Sequence, residues 1–374
     1  MPYSVLSLFC GGGGLDLGFE AAGFHHLEAI DIDPWSIRTL KKNRPSWSAI
    51  ESDVREYDPT FKGGIDVLTA GVPCQGFSLG GNRNPEDERN TLFREVVRLA
   101  RKLNPRVVLI ENVLNLRTMK VPGTDQPFSE HIAESLRKIG YWVAYDVFKV
   151  CNYGVPQTRR RFAFVGIRGE PPVGYRLPVA GPTTPIKPFL HDLGQGIAGK
   201  LSNHEPKWGF KSAVHEETGT PFDPKEKAIP VRFSRTASDG NPIRSFDEPF
   251  PAIDTATVWG WAQGNVRAAR FEKDRSKEKY IRNPDATVAL WRVQASRLRT
   301  FTHREYARLQ TFPDDWEFVG PNKRSIHLQV GNAVPVKFAT VLAENIKAAL
   351  VALDTGRPFA AGDQTAGLQL RLLA

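Results

Sequence analysis

Ile65-Asp66-Val67-Leu68-Thr69-Ala70-Gly71-Val72-Pro73-Cys74-Gln75 begins as an apolar run of strand length and ends in a proline, a cysteine and a glutamine. A short apolar run of this kind reads as a strand buried on both faces, as in a parallel sheet. Open α/β sheets bind their ligands beyond the carboxyl ends of the strands, which makes Cys74 a candidate nucleophile. A buried structural thiol is the commoner fate of a free cysteine. Three further features favour chemistry: a glycine cluster after the first strand, Glu111-Asn112-Val113 after a later one, and Gln157-Thr158-Arg159-Arg160-Arg161 beyond that.

Outward from this strand, the first 168 residues alternate apolar runs with helix-like segments, the pattern of a parallel sheet covered on both faces. Strands are expected at Val5 to Phe9, Leu27 to Ile30, Asp66 to Ala70, Val107 to Ile110, Trp142 to Val147 and Phe162 to Val165, with a short one before Asp53. Helical spacing appears in Leu92 to Leu103 and again at Ile132, Leu136 and Ile139. The expected fold is a doubly wound, mostly parallel α/β sheet, with residues 1–168 as its main domain. From Gly169 Pro and Gly become frequent, and Trp208, Trp259, Trp261 and Trp291 appear among basic residues, so 169–298 reads as a smaller inserted domain. Thr302-His303-Arg304-Glu305 resembles a capping box. Residues 299–353 return to the main domain, with a last helix from Pro335 to Leu353, and 354–374 read as a tail.

Composition narrows the function. The 374 residues, 41% hydrophobic, suffice for a full core and two domains. No apolar run approaches the ~20 residues that span a bilayer, and no signal-like start is seen, so a cytoplasmic protein without membrane contact is expected. Cys10, Cys74 and Cys151 are far apart and form no Cys-x-x-Cys pair, which supports neither a disulfide framework nor a metal cluster. Fifty Lys and Arg against 41 Asp and Glu give a formal charge of +9, which favours polyanionic partners.

Phe9-Cys10-Gly11-Gly12-Gly13-Gly14 ends one strand and opens a helix. No register satisfies G-x-G-x-x-G: from Gly11 the last position is Asp16, and from Gly12 it is Leu17. The dinucleotide fingerprint is therefore missing, although glycines still permit a ligand to approach the backbone closely. Asp31 ends the second strand about 20 residues on, where a carboxylate can bind ribose hydroxyls. Ile32 can lie against an adenine face, and Asp53 can accept the adenine amino group. Each acid alone reads as a helix cap or a solvated loop residue sooner than as a ligand contact; at the ends of successive strands they read jointly as an adenosine site.

In order along the chain, these residues resemble the DNA cytosine-C5 methyltransferase family. The resemblance covers Ser7 to Gly166 and Arg299 to Leu342. It rests on Phe9 to Gly14, Pro73-Cys74-Gln75, Glu111-Asn112-Val113, Gln157 to Arg161, Arg304-Glu305-Tyr306-Ala307-Arg308-Leu309-Gln310-Thr311-Phe312-Pro313, and Gln329-Val330-Gly331-Asn332-Ala333-Val334-Pro335. It implies S-adenosylmethionine as methyl donor, with no metal, and a cytosine flipped out of double-stranded DNA. Carried over by position, cofactor contacts fall on Phe9, Gly11, Gly13, Gly14, Asp31, Ile32, Asp53, Val54, Pro73, Leu92 and Asn332. Catalysis falls on Cys74, Glu111, Arg159 and Arg161, and DNA contacts on Gln75 and Ser78. Asp31 stands where glutamate is usual and Asn90 where glycine is common, which affects the ribose contact and the hinge of a lid expected at Gly76 to Asn90.

The chemistry asks for the same residue types. Cytosine C5 becomes nucleophilic once a thiolate adds to C6. Arg159 and Arg161 would favour that thiolate, and a hydrogen-bonding Glu111 would stabilise the electron density placed on the ring. A strand-end salt bridge for Glu111 and a solvated basic edge for the arginines are the plainer alternatives. The target atom is stacked in a duplex, so the base must be extruded to be reached.

Residues 169–298 occupy the place of the family's target-recognition domain. Arg232 and Arg235 in one segment, and Gln263 and Asn265 in another, are suited to base edges or simply to phosphates. Asp247 to Ile253 is read as structural. A bacterial restriction-modification methylase acting as a monomer is the leading expectation, with a cognate restriction endonuclease in the same system and no obligatory contact to it. A tRNA cytosine-C5 methyltransferase is the nearest rival, a catalytically inactive nucleic-acid-binding relative a second, and a nicotinamide dehydrogenase fits the sheet but not the glycines.

Overall fold

The computed structural model describes residues 2–61, 63–73, 92–190, 249–253 and 301–360 with their side chains, and backbone strands between 210 and 300. The first half builds β1 (Ser4–Leu8), α1 (Gly14–Ala21), β2 (His25–Asp31), α2 (Pro34–Asn43), β3 (Ala49–Glu51), β4 (Val67–Gly71), α3 (Phe93–Leu103), β5 (Val107–Val113), α4 (Phe128–Arg137), β6 (Tyr141–Lys149) and β7 (Arg160–Arg168). These strands form one seven-stranded sheet in the order β3-β2-β1-β4-β5-β7-β6. The β1 to β5 pairings are parallel, while β7 runs antiparallel between β5 and β6. Every expected strand is present. Glu111, Asn112 and Val113, expected just beyond a strand, instead belong to β5, because β7 pairs with them through Arg161.

Both sheet faces are covered, as the apolar strands require. Leu6, Leu8, Leu68, Val108 and Ile110 pack under α3 and α4, and Val5, Val67, Val107 and Leu109 pack on the other face. That second face receives α1 and α8 (Val336–Thr355), the last of three C-terminal helices after α6 (His303–Leu309) and α7 (Lys323–Asn332). The two helices approach closely because Gly18 has no side chain; a Cβ there would lie 2.6 Å from the Ala339 carbonyl carbon. The expected capping box opens α6, with Glu305 N–H donating to Thr302 Oγ1 at 3.2 Å and Thr302 N–H to Glu305 Oε2 at 2.6 Å. The short α5 (Lys187–Leu190) closes the described part before residue 191.

Between 210 and 300 lie β8 (Phe210–Lys211), β9 (Ile229–Phe233), β10 (Val258–Gln263), β11 (Phe271–Asp274), β12 (Lys279–Arg282), β13 (Leu290–Trp291) and β14 (Arg297–Thr300). All their pairings are antiparallel; in β14-β10-β9, Trp259 lies opposite Arg232 and Gln263 opposite Arg297. Among the described residues no helix is long and apolar enough to cross a membrane.

Candidate active site

The order of the sheet places the candidate residues. β1 and β4 are neighbours whose chains leave for opposite sides, α1 and β2 following one and α3 and β5 the other, so a crevice opens at their carboxyl ends. The glycine turn leaves β1 into that crevice, and β4 leads through Val72 and Pro73 towards Cys74. Cys74, Gln75, Ser78 and the rest of the expected lid lie outside the described residues.

The turn is held tightly on the side of the sheet. Cys10 N–H donates to Ile30 O at 3.0 Å and Gly13 N–H to Cys10 O at 3.0 Å. Phe9, Gly11 and Gly13 have φ of 55°, 51° and 87°, a left-handed path that favours glycine at two of the three positions. The backbone N–H groups of Gly12 and Gly14, both buried, meet no acceptor among the described residues. Gly14 opens α1, and a helix N-terminus favours anionic groups. Asp31 closes the turn from β2: its carboxylate accepts Gly11 N–H and Asp33 N–H, each at 2.8 Å. Burial raises the Asp31 carboxyl above its ordinary value, against these hydrogen bonds. Asp33 in turn caps α2, accepting Ser36 N–H at 3.1 Å with Pro34 at the first helical position.

Beside Asp31, Ile32 is 65% exposed, conspicuous for a branched apolar side chain at the mouth of a crevice. Val54 is buried, and its carbonyl accepts Arg98 Nη2 from α3 at 2.9 Å, a link nothing in the local sequence pattern announces. Asp53 is gripped by Arg55 at 2.6 to 3.0 Å through Nε, Nη2 and the backbone N–H, and Arg55 holds its carboxyl below the ordinary value. Any amino group that Asp53 receives must therefore share it with Arg55. Pro73 and Leu92 are half-buried, and Asn332 at the end of α7 is exposed.

Glu111 and Arg161 meet on the sheet. Glu111 lies beside Gly71 on β4 and opposite Ala163 on β7, and Arg161 lies opposite Val113, so the two side chains are diagonal neighbours on one face. Arg161 Nε stands 2.6 Å from Glu111 Oε1, both side chains nearly buried. The approach is close but poorly aligned, since Oε1 makes no hydrogen bond of good angle. Burial dominates: the Glu111 carboxyl is pushed up to about 7, with Arg161 opposing the shift. A carboxyl poised there can donate a proton or a hydrogen bond at neutral pH.

Arg159, two residues earlier, is placed differently. It precedes β7 and is buried, with Nη1 donating to Ile253 O at 2.9 Å and Gly331 O at 2.7 Å. Its donors serve two chain segments, at Ile253 and at the end of α7, rather than Glu111. Gln157 works beside it, Nε2 donating to Leu309 O at 2.5 Å and Oε1 accepting Ile253 N–H at 3.1 Å. Phe250 N–H donates to Pro156 O and Thr158 N–H to Phe250 O, at 2.8 and 2.7 Å. Phe250 and Ile253 thus pack as the structural element expected of Asp247 to Ile253. Of the four residues expected at base edges, Arg232 lies on the backbone of β9 and Gln263 on β10, while Arg235 and Asn265 lie outside the described residues.

A doubly wound sheet with a glycine turn at its switch point and a buried carboxyl beside a guanidinium is the architecture of an α/β enzyme. Residues 3–348 match the C-5 cytosine-specific DNA methylase family, and the chain belongs to it. It is similar to the type II methyltransferase M.NgoMIV of Neisseria gonorrhoeae, 30% identical and covering 94% of this chain and 99% of that one. It is likewise similar to M.PspPI of a Psychrobacter species, 34% identical over 92% of this chain and 79% of the relative. Among solved structures, the Dnmt2 methyltransferase of S. pombe shares the fold at a TM-score of 0.57 with 18% identity, covering 95% of this chain and 99% of that one. The chain is thus a DNA cytosine-C5 methyltransferase.

Proposed function

We propose that this methyltransferase acts on a cytosine flipped from a specific duplex site, through a covalent bond between Cys74 Sγ and C6, as the methylase of a restriction-modification system. The observation that carries the reading is Glu111, a buried carboxyl raised to about 7 and set beside the strand that leads to Cys74. S-adenosylmethionine supplies the methyl group when bound. Asp31, Ile32, Val54 and the Gly11 to Gly14 turn would hold it; the exposed Ile32 and the unpaired N–H groups of Gly12 and Gly14 suit a flat base and an anionic end. Phe9, Asp53, Pro73, Leu92 and Asn332 would complete that pocket.

The Cys74 thiolate forms a bond to C6, and electron density moves onto the ring. Glu111, protonated, hydrogen-bonds N3 and the adjoining edge, which favours the charge that develops. With the donor bound, C5 would take the methyl group as the donor's sulfonium S–methyl bond breaks and S-adenosylhomocysteine is left; a proton would then leave C5 to solvent and the C6–S bond break to return the thiolate. Arg161 holds Glu111 and keeps its proton exchangeable, whereas Arg159 and Gln157 position the neighbouring segments. Residues 169–298 would read the duplex, with Arg232, Arg235, Gln263 and Asn265 at bases and Gln75 and Ser78 beside the vacated stack. The enzyme would act as a monomer, its endonuclease partner meeting the same DNA site rather than this chain. The names of the type II relatives support the restriction-modification setting. The test is to incubate the purified chain with labelled S-adenosylmethionine and, in parallel, duplex DNA or tRNA, and then map methylcytosine base by base. Methylation of one cytosine in a fixed short site is expected; label transferred only to tRNA, or none transferred, would overturn the reading.

A further inference from the structure

Trp316 lies in the stretch between α6 and α7, about three hundred residues along the chain from the glycine turn. It is the largest fully buried side chain of the described residues. Its indole N–H donates to the Gly12 carbonyl at 3.2 Å, and a Cβ added to Gly13 would meet its Cζ2 at 2.8 Å. The peptide joining Gly12 to Gly13 is therefore fixed at both ends, its carbonyl by Trp316 and its N–H by Cys10 O. Fixing that plane sets how the peptides on either side are turned, and these carry the unpaired N–H groups of Gly12 and Gly14. The residue is held from several sides: Phe312 stacks near the ring, Arg44 lies 5.5 Å over its face, and Arg304 Nη2 donates to the backbone carbonyl of Trp316 at 3.1 Å. Burial obliges the indole N–H to find an acceptor, and the acceptor it finds is a carbonyl of the glycine turn.

We propose that Trp316 is a positioning residue for the methyl donor, its indole N–H holding the glycine turn in the shape that binds the cofactor. The inference rests on the reading that this turn binds S-adenosylmethionine. Trp316→Phe keeps a ring in the core and removes the donor. Trp47→Phe is the control, because Trp47 lies in the same aromatic cluster, 6.4 Å from Trp316 between ring centres. The experiment measures S-adenosylhomocysteine binding by calorimetry and steady-state kinetics with both variants and the parent protein. Trp316→Phe is expected to weaken binding roughly 3- to 10-fold, the range of one net hydrogen bond, and to raise KM for the donor with kcat at saturation unchanged. Trp47→Phe is expected to lower the melting temperature while leaving that affinity at the parent value. Equal affinity in Trp316→Phe and the parent, or an equal loss in both variants, would overturn the proposal. A parent protein that binds no S-adenosylhomocysteine would instead overturn the reading of the pocket. If Trp316→Phe does not fold, indole ¹⁵N spectra of the parent decide: of its eight tryptophans, a solvent-protected indole should become more protected on adding S-adenosylhomocysteine. No indole responding to the ligand would overturn the proposal.

Discussion

Replacing Glu111 by glutamine tests the poised carboxyl through the dependence of rate on pH. Burial pushes this group from 4.5 up to about 7, a preference for the protonated form on the order of 3 kcal/mol. If protonated Glu111 is the form that supports attack on the ring, kcat/KM falls above pH 7, by roughly tenfold for each further pH unit. Glutamine cannot ionise, so Glu111→Gln should lose that falling limb and run flat at a rate about 10² below the parent optimum, within the range of general acid catalysis. Arg161→Ala adds a sign test. The guanidinium opposes the effect of burial, so its loss should move the falling limb to higher pH. The same shift enters stability. The folded state retains a proton that the unfolded chain releases between pH 4.5 and about 7, so this contribution is complete below pH 4.5 and is lost as pH rises through 7. Glu111→Gln should flatten that slope in denaturant titrations. A Glu111→Gln variant that keeps a falling limb near pH 7 would show that Glu111 does not set it, and a limb that moves to lower pH in Arg161→Ala would show that the guanidinium does not oppose protonation of Glu111.

Asp31→Ala should weaken S-adenosylhomocysteine binding roughly 10- to 100-fold in calorimetry, because it removes a charge-assisted acceptor and releases Gly11 N–H from the turn; unchanged affinity would remove Asp31 from the pocket. In Gly14→Ala the new Cβ would fall 2.1 Å from the Val334 carbonyl oxygen, so α1 and the start of α8 must move apart. Denaturant unfolding should show a loss of about 1–3 kcal/mol or more, against a change within about 0.5 kcal/mol for Gly64→Ala, where no atom lies within 4 Å. Replacing Arg232, Arg235, Gln263 or Asn265 should relax preference at one base position, by roughly 1–3 kcal/mol against single-base-substituted duplexes. Uniform weakening with a shallower salt dependence for all four would place base reading elsewhere.

Alternation of apolar runs with helical periods was enough to locate the strands of the sheet, since burial on both faces leaves a continuous apolar signature in each. The reversal of β7 was not legible: local pattern records burial, not strand direction, and only the pairing of β5 with β7 shows why Glu111 lies inside a strand. Arg159 and Arg161 look equivalent in sequence, yet the first precedes β7 and is held by carbonyls from two distant segments, while the second faces Glu111. Asp53 carries no sign in the sequence of its pairing with Arg55, which depends on a turn two residues long. Trp316 was equally silent, because its contact to Gly12 spans almost the whole chain.

A covalent bond from Cys74 to the target base is tested most directly by trapping it. A duplex carrying 5-fluorocytosine at the mapped position cannot lose its C5 substituent, so an enzyme that works through C6 is trapped on it. With S-adenosylmethionine present, the parent protein should give an adduct that survives denaturing electrophoresis, with the cross-linked peptide identified by mass as the one containing Cys74. Cys74→Ala should give none while still binding S-adenosylhomocysteine. No adduct on a site whose unmodified counterpart the enzyme methylates, or an undiminished adduct in Cys74→Ala, would contradict the account.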